Sequence, residues 1–509
     1  TVRGCGADRP PIGETPSELV AAIERLKEVQ LPGLLQGNAR IYDLLTLGVN
    51  LEQTVAGDTK NFTLRYIDWE HPERNVFHAC SDFTVESGRD AAKLDILLFV
   101  NGIPFVAINC VAPQAPLQQA QASLLRQQND NVLAPAFLFA QLVIALNSKE
   151  ARYATVGTRV AHWACWREPV EPDTLRQIRS QDLPLEDKAA LFDLARQRLG
   201  NSHRTQQERA PYLVPYCLTQ QDHILYAMCR PERLLDLVRN ATLFEAGQRK
   251  MARHHQYFAV EHALQWLRQP LVDGKRPGGM IMHAEGSGKS LTMVFLARRL
   301  ALAMDWPQPK IVVISPRHEL GMQMDNSFTA CRMHPLRVHS GRQLLAEIAR
   351  DKAQLLFTLP HALARASGIR KKRDESSDIF LLVEEDHQQP VGQYATLLRN
   401  MFPNACYIGF CGTPLDEHAM VWPLIDQYSA QEAEADQLLV PLIYENREQE
   451  SFGDADWLVR QSEGWQPEVR DALQRSAACG YRLAASERRA FEIALDISTH
   501  FRNCYQASG

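Results

Sequence analysis

The chain has 509 residues, more than one hydrophobic core normally serves, so several domains are expected. Its composition, 45% hydrophobic and 23% charged, is that of an ordinary globular protein, and a net charge of −5 leaves nucleic-acid binding to local basic stripes rather than to the total. The longest apolar stretch, residues 134–146, is interrupted by Gln141 and too short to span a bilayer; the eleven cysteines form no CxxC pair; nothing like a signal peptide opens the chain. The expectation is a cytoplasmic protein with no membrane segment, zinc site or disulfide framework.

Taken in chain order, residues 16–50 carry apolar residues at helical spacing, through Leu19, Ala22, Ile23 and Leu26 and then Ile41, Leu44 and Leu45. From Phe62 the period shortens toward strands. The run 95–100, then Asn101-Gly102, then 103–108 predicts a β-hairpin. A helix is expected over 118–127 and a buried strand or helix over 137–146. Residues 183–270 read as mostly helical, broken at Pro211 and Pro215. From Gly278 to about residue 425, short buried strands at 310–314, 354–357, 379–383 and 405–408 alternate with helices, which predicts a doubly wound parallel sheet. The run Arg370-Lys-Lys-Arg373 reads as a solvated loop.

The stretch His283-Ala-Glu-Gly-Ser-Gly-Lys-Ser290 follows the apolar run Met280-Ile-Met282 and opens a helical pattern, the context of a phosphate-binding loop. The residues assigned to nucleotide are Glu285, Gly286, Ser287, Gly288, Lys289 and Ser290. The glycines let the backbone approach a phosphate, Lys289 reaches the β- and γ-phosphates of ATP, and the Ser290 hydroxyl holds Mg²⁺. His283 stands where the general pattern has glycine. Downstream, Glu384-Glu-Asp-His387 ends a strand pattern, where carboxylates point into the nucleotide crevice: Glu384 is the candidate Mg²⁺ ligand and Glu385 the candidate for orienting the attacking water. Without the phosphate loop, the same quartet would read as a solvated strand end.

The succession of residues 279–290, 315–323, 384–387 and 409–415 resembles motifs I, Ia, II and III of superfamily 2 helicases, and more narrowly the motor (R) subunit of type I restriction-modification enzymes. That family's loop reads HTQGSGKS, its acidic box VDEAH and its third motif GFTGTP. The resemblance implies a RecA-like motor using ATP and Mg²⁺, with Gln256 reading adenine from the segment Arg253-His-His-Gln-Tyr-Phe-Ala-Val260. Two positions depart from the family: Glu384 replaces the Mg²⁺-holding aspartate, and Cys411 replaces a threonine.

The first half resembles the same family's PD-(D/E)xK nuclease domain, so the expected fold is an N-terminal nuclease-like α/β domain followed by a RecA-like doubly wound motor. The nuclease chemistry needs an Asp, a Glu and a Lys two residues after the Glu. Here the Asp is Asp95, but Asn109 stands for the Glu, Val111 for the Lys, and Leu125 for the tyrosine of a QxxxY element that begins at Gln121. A neutral amide is a weaker Mg²⁺ ligand than a carboxylate and valine offers no donor, so Asp95 is left as a degenerate catalytic and metal position, or as a plain strand-initial carboxylate. A strict two-residue turn at Asn101-Gly102 pairs Asp95 with Ile108 and sends Asn109 to the opposite face; a bulge at Pro104 restores it. The expected regions are 1–225 nuclease-like, 226–425 the first RecA-like domain, and 426–509 a connector plus the start of a truncated second RecA-like domain. The resemblance implies partners: double-stranded DNA and the methyltransferase and specificity subunits. The alternative is an inactive nucleotide-binding descendant that docks on DNA or subunits without turnover.

Overall fold

The computed structural model describes residues 16–29, 33–55, 58–87, 90–181, 218–271, 274–303, 305–306, 308–315, 318–350, 352, 354–359, 376–384, 399–412, 422–441 and 487–502. They divide into two compact units, Thr1–Val440 and Pro441–Gly509. Within the second, the helix Glu487–Phe501 is described.

The first unit opens with helices Pro16–Lys27 and Leu34–Leu47. The second ends at Gly48, whose φ of +81° suits glycine and whose missing Cβ leaves room for the Leu64 carbonyl. An antiparallel pair follows, β1 (Val49–Val55) and β2 (Asp58–Leu64). Strands β3 (Phe77–Ser87), β4 (Asp90–Val100), β5 (Ile103–Cys110), β6 (Leu142–Leu146) and β7 (Ala151–Ala154) form a mixed five-stranded sheet in that order; only β5 and β6 are parallel. Residues 137–146 split at Ala140 into the end of a helix, Ala134–Phe139, and β6. That helix and Gln118–Gln128 make the β5-to-β6 crossover, packing Leu124 and Phe137 against Leu97, Ala107 and Val143.

The β4–β5 turn is the Asn101-Gly102 type, with φ +52° and +80°. Buried Asn101 ties it down, accepting from Val76 N at 2.8 Å and donating to Tyr66 O at 2.9 Å. Phe99 opposes Pro104 while Leu98 opposes Val106, so the bulge falls at Phe105, next to the residue that cannot donate to the ladder. The strict pairing of Asp95 with Ile108 is thereby corrected: Ile96 opposes Ile108, which carries Asp95 across from Asn109.

Residues 182–217 lie outside the described residues, as do 370–373, 385–387, 413–415 and the Pro316-Arg317 pair. After helices Gln220–Cys229 and Pro231–Asn240 the mostly helical expectation needs correction. Residues 242–251 form a hairpin, β8 (Thr242–Glu245) and β9 (Gln248–Met251), before the helix His254–Leu267.

The second large sheet contains β10 (Gly279–His283), β11 (Lys310–Ile314), β12 (Leu336–Val338), β13 (Gln354–Thr358), β14 (Ile379–Glu384), β15 (Cys406–Cys411) and β16 (Leu424–Tyr428). All are parallel, in the order β12-β13-β11-β14-β15-β10-β16. The central strands are continuous apolar runs because both faces are covered. One hydrophobic core runs unbroken from Tyr66, Phe105 and Ile144 around the first large sheet to Met293, Val313 and Phe410 around the second. Among the described residues no helix is long and apolar enough to cross a membrane.

Candidate functional site

Strand β10 delivers the chain to a tight turn in which Gly286 and Gly288 take φ values of +79° and +93°, left-handed conformations that side chains resist. Gly288 then starts the helix Lys289–Leu302, accepting from Thr292 N at 3.1 Å, so the helix presents its first amides at the loop. A Cβ on Gly288 would come within 2.6 Å of Gln256 Nε2. Within the loop, Lys289 Nζ lies 2.7 Å from Glu285 Oε1. Lys289 is nearly buried and Glu285 is 70% exposed. Glu285, expected among the nucleotide contacts, is in this structure the counter-ion of Lys289 and leans against Gly412 at the end of β15.

Gln256 is buried and bridges the loop to its own helix start, its Oε1 accepting from Arg253 N at 2.9 Å and its Nε2 donating to Gly288 O at 3.1 Å. His255, next to it, reaches Ser287 O at 3.0 Å with Nε2 and stacks on Tyr428 with ring centroids 3.9 Å apart. A carbonyl only accepts, so the hydrogen sits on Nε2 and the buried Nδ1 is left without a partner. Burial pushes the His255 pKa down to about 2 despite that hydrogen bond, so the imidazole is neutral. The loop's first residue, His283, is wholly buried and pairs through Nε2 with Asp426 Oδ2 at 2.9 Å; His262 takes the other oxygen at 2.7 Å. Asp426 and Tyr428 sit on β16 and buttress the loop from its far side. Neither was signalled by the sequence, since an Asp inside Leu-Ile-Asp-Gln-Tyr argues against a strand and its histidine partners are 143 and 164 residues away.

Glu384 ends β14, with β15 standing between it and the loop strand β10. Ser315, fully buried at the end of the neighbouring β11, donates to Glu384 Oε2 at 2.9 Å. Cys411 is buried on β15 against Met280 and Met282. Glu385 lies outside the described residues. The structure therefore gathers Glu285, the glycines, Ser287, Lys289 and Ser290 in the loop and at the head of its helix, sets Gln256 against them from the helix His254–Leu267, and carries Glu384 on the same sheet edge two strands away.

The nuclease-like positions differ. Asn109 is buried and donates from Nδ2 to Ser123 Oγ at 3.1 Å and to Gln127 Oε1 at 2.9 Å; Gln127 in turn donates to Lys93 O at 2.9 Å. Asp95 accepts from Cys110 N at 2.8 Å. Cys110 has its thiol pushed up to about 11, by burial first and then by the Asp95 charge. Lys93 pairs with Asp82. Val111 packs with the apolar cluster beneath this face. One carboxylate and an amide tied to the neighbouring helix Gln118–Gln128 do not make the donor set a divalent cation needs, and among the described residues no group of three or more His, Cys, Asp or Glu is arranged to hold a metal.

Comparison with known families gives two matches. Residues 9–161 match the type I restriction enzyme R protein N terminus, and residues 255–473 match the SWI2/SNF2 ATPase. Among curated proteins, the type I restriction enzyme HindI endonuclease subunit of Haemophilus influenzae is 25% identical over 525 residues, covering 95% of this chain and 45% of its own. The type I restriction enzyme SauCOLORF180P endonuclease subunit of Staphylococcus aureus is 22% identical over 364 residues, 70% of this chain and 34% of its own. This chain thus spans less than half the length of the curated relatives it matches. A solved nuclease-deletion mutant of the type ISP restriction-modification enzyme LlaGI, in complex with a DNA substrate mimic, is 13% identical over 50% of this chain and 24% of its own, with a TM-score of 0.29, too low to bear on the argument.

Proposed function

Because the chain belongs to the endonuclease (R) subunit family of type I restriction enzymes, we propose that it is the ATP-driven DNA translocase of such a complex, with its own DNA cleavage lost or crippled. Residues 1–225 serve as the nuclease-like region, 226–425 as the first RecA-like domain, and 426–509 as the connector and beginning of a second. Its partners are double-stranded DNA and methyltransferase and specificity subunits, and it works in the cytoplasm. The observation that carries this reading is the phosphate loop at the C-terminal edge of an all-parallel sheet, with Lys289 at the head of a buried helix.

The residues fit ATP with Mg²⁺. Ser287 Oγ is buried with no hydrogen-bond partner, the glycine turn leaves room for phosphate, and Ser290 and Glu384 offer hard oxygen donors. Bound Mg²⁺ supplies charge neutralisation at the β- and γ-phosphates. The chain itself binds and orients: Lys289 exchanges the Glu285 carboxylate for phosphate oxygen, Gln256 fixes the loop and offers its amide to the base, Ser315 holds Glu384 in place, and Glu385 orients the attacking water. At Asp95, Asn109 and Val111 the residues do not fit Mg²⁺, and no hydrolytic step is assigned there.

A second reading is favoured by the carboxylate already seated on Lys289 and by Glu384 in place of Asp: a nucleotide-binding protein that docks without turnover. ATP hydrolysis measured with and without long duplex DNA separates the two. DNA-stimulated turnover abolished by Lys289→Ala is expected for the motor. Saturable ATP binding with no turnover under either condition would leave the docking protein.

A further inference from the structure

We propose that Arg167 and Asp436 are positioning residues for the phosphate loop, and that through them the nuclease-like region holds the floor on which that loop rests. The consequence for nucleotide binding rests on the phosphate-loop reading; the link itself does not.

The floor is the stretch from β16 through the helix Ala430–Ala435 to Leu439. It meets the loop at three points. Tyr428 O accepts from Ala284 N at 2.9 Å. The Tyr428 ring stacks on His255, whose Nε2 donates to Ser287 O. Leu439 closes on Gly286, where a Cβ would meet its Cδ2 at 3.0 Å. Little in the stretch itself fixes its place. β16 stands at the edge of the sheet, its register with β10 shifts between Met280 and Ile281, and Asp426 and Gln427 are poor strand formers.

The nuclease-like region supplies the missing hold. Asp436 is 5% exposed. Arg167 Nε pairs with its Oδ1, Cys165 Sγ donates to the same oxygen at 3.3 Å, and Tyr428 OH donates to Oδ2 at 2.7 Å. Arg167 Nη2 also donates to Ala435 O at 2.8 Å. From β7, Arg152 donates to Gln437 Oε1 at 2.9 Å, and Gln437 has a φ of +58°, a left-handed backbone that a side chain resists. A carboxylate this deep is costly without its cation, so Asp436 ties the Tyr428 ring to Arg167. Contacts thus run without a gap from Arg167 through Asp436, Tyr428 and His255 to Ser287. A second joint, at buried Arg249 of β9, donates to Gln141 Oε1 at 2.6 Å, Gln141 O at 2.8 Å and Ala140 O at 3.1 Å, so the layers stay together when Arg167 is removed. The nuclease-like region therefore has a task that uses none of Asp95, Asn109 and Val111.

The test uses the full chain, with Arg167→Met, Asp436→Asn and the double variant. Arg167 is half exposed, so its loss leaves the fold intact. Hydrogen–deuterium exchange in the nucleotide-free protein reads the loop, and calorimetric titration reads MgATP. Each single variant is expected to speed exchange over residues 283–292 about fivefold or more while β5 and β6 keep wild-type rates. MgATP binding is expected to weaken about fivefold or more in each, and the double variant to bind no more weakly than Asp436→Asn alone, because one contact is lost in all three. Wild-type loop exchange in both single variants overturns the proposal, as does a rise spread evenly over the chain. Unchanged MgATP affinity in both, or losses that add in the double variant, overturns it as well. If wild type takes up no MgATP yet loop exchange responds to both substitutions, the phosphate-loop reading falls and the positioning link stands.

Discussion

Glu285→Gln is expected to tighten nucleotide binding. In the free protein the Glu285 carboxylate sits 2.7 Å from Lys289 Nζ, and an incoming phosphate must displace it. At that distance Coulomb's law gives about 1.5 kcal/mol at the dielectric of water. Since Glu285 is 70% exposed, the water value is the relevant limit, and exposed pairs yield about 0.2–1 kcal/mol once side-chain ordering is counted. A carboxylate left about 6 Å from a triphosphate adds roughly 0.7 kcal/mol of repulsion per phosphate charge before salt screening. Together these terms come to about 1.5 kcal/mol, or roughly tenfold in Kd. Titration calorimetry at low and at physiological salt measures it. The gain should shrink as salt rises; an unchanged Kd at low salt would refute the assignment of Glu285 as the occupant of the phosphate position.

Three further outcomes follow from the same geometry. His255 has a folded pKa of about 2 against 6.5 in the unfolded chain, so the unfolded state binds the extra proton between those values. Its contribution is constant above pH 6.5 and falls as pH drops below it, by about 2 kcal/mol at pH 5. Denaturant unfolding should show His255→Phe less stable than wild type at pH 7.5, with the gap closing by pH 5; parallel pH profiles would contradict a buried neutral imidazole. The pair Asn109→Glu with Val111→Lys restores the missing donors opposite Asp95, and Mg²⁺-dependent nicking of plasmid DNA should emerge from a silent background. Inactivity of that double variant, with its fold intact by circular dichroism, would count against the nuclease-like assignment. Arg249→Met strands the Gln141 and Ala140 carbonyls and should destabilise the first unit by about 3 kcal/mol in denaturant titration, whereas a loss under about 1 kcal/mol would show the joint is not held there.

Much of this was legible in the chain itself. The four expected motor strands recur because uninterrupted runs such as Ile-Phe-Leu-Leu-Val are stable only between two covered faces. The hairpin turn was readable from Asn101-Gly102, and the bulge from Pro104, which cannot join the ladder. The hairpin β8–β9 was missed because its turn is Ala246-Gly247, with φ of +49° and +81°, rather than the Asn-Gly or Asp-Gly that announces such a turn. Its second strand, Gln-Arg-Lys-Met, also lacks apolar alternation: Arg249 faces inward because Gln141 and Ala140 receive it. Strand β16 was missed for the same reason. Asp426 is tolerated inside a strand only because His283 and His262, distant in sequence, complete its hydrogen bonds. In each case the deciding partner is tertiary, and no local pattern encodes it.

The most direct measurement is a calorimetric titration of the full chain with MgATP, run in parallel on Lys289→Ala. Saturable one-to-one uptake by wild type and at least a hundredfold weaker binding by the variant are expected. Absence of uptake by wild type, or equal uptake by both, would contradict it.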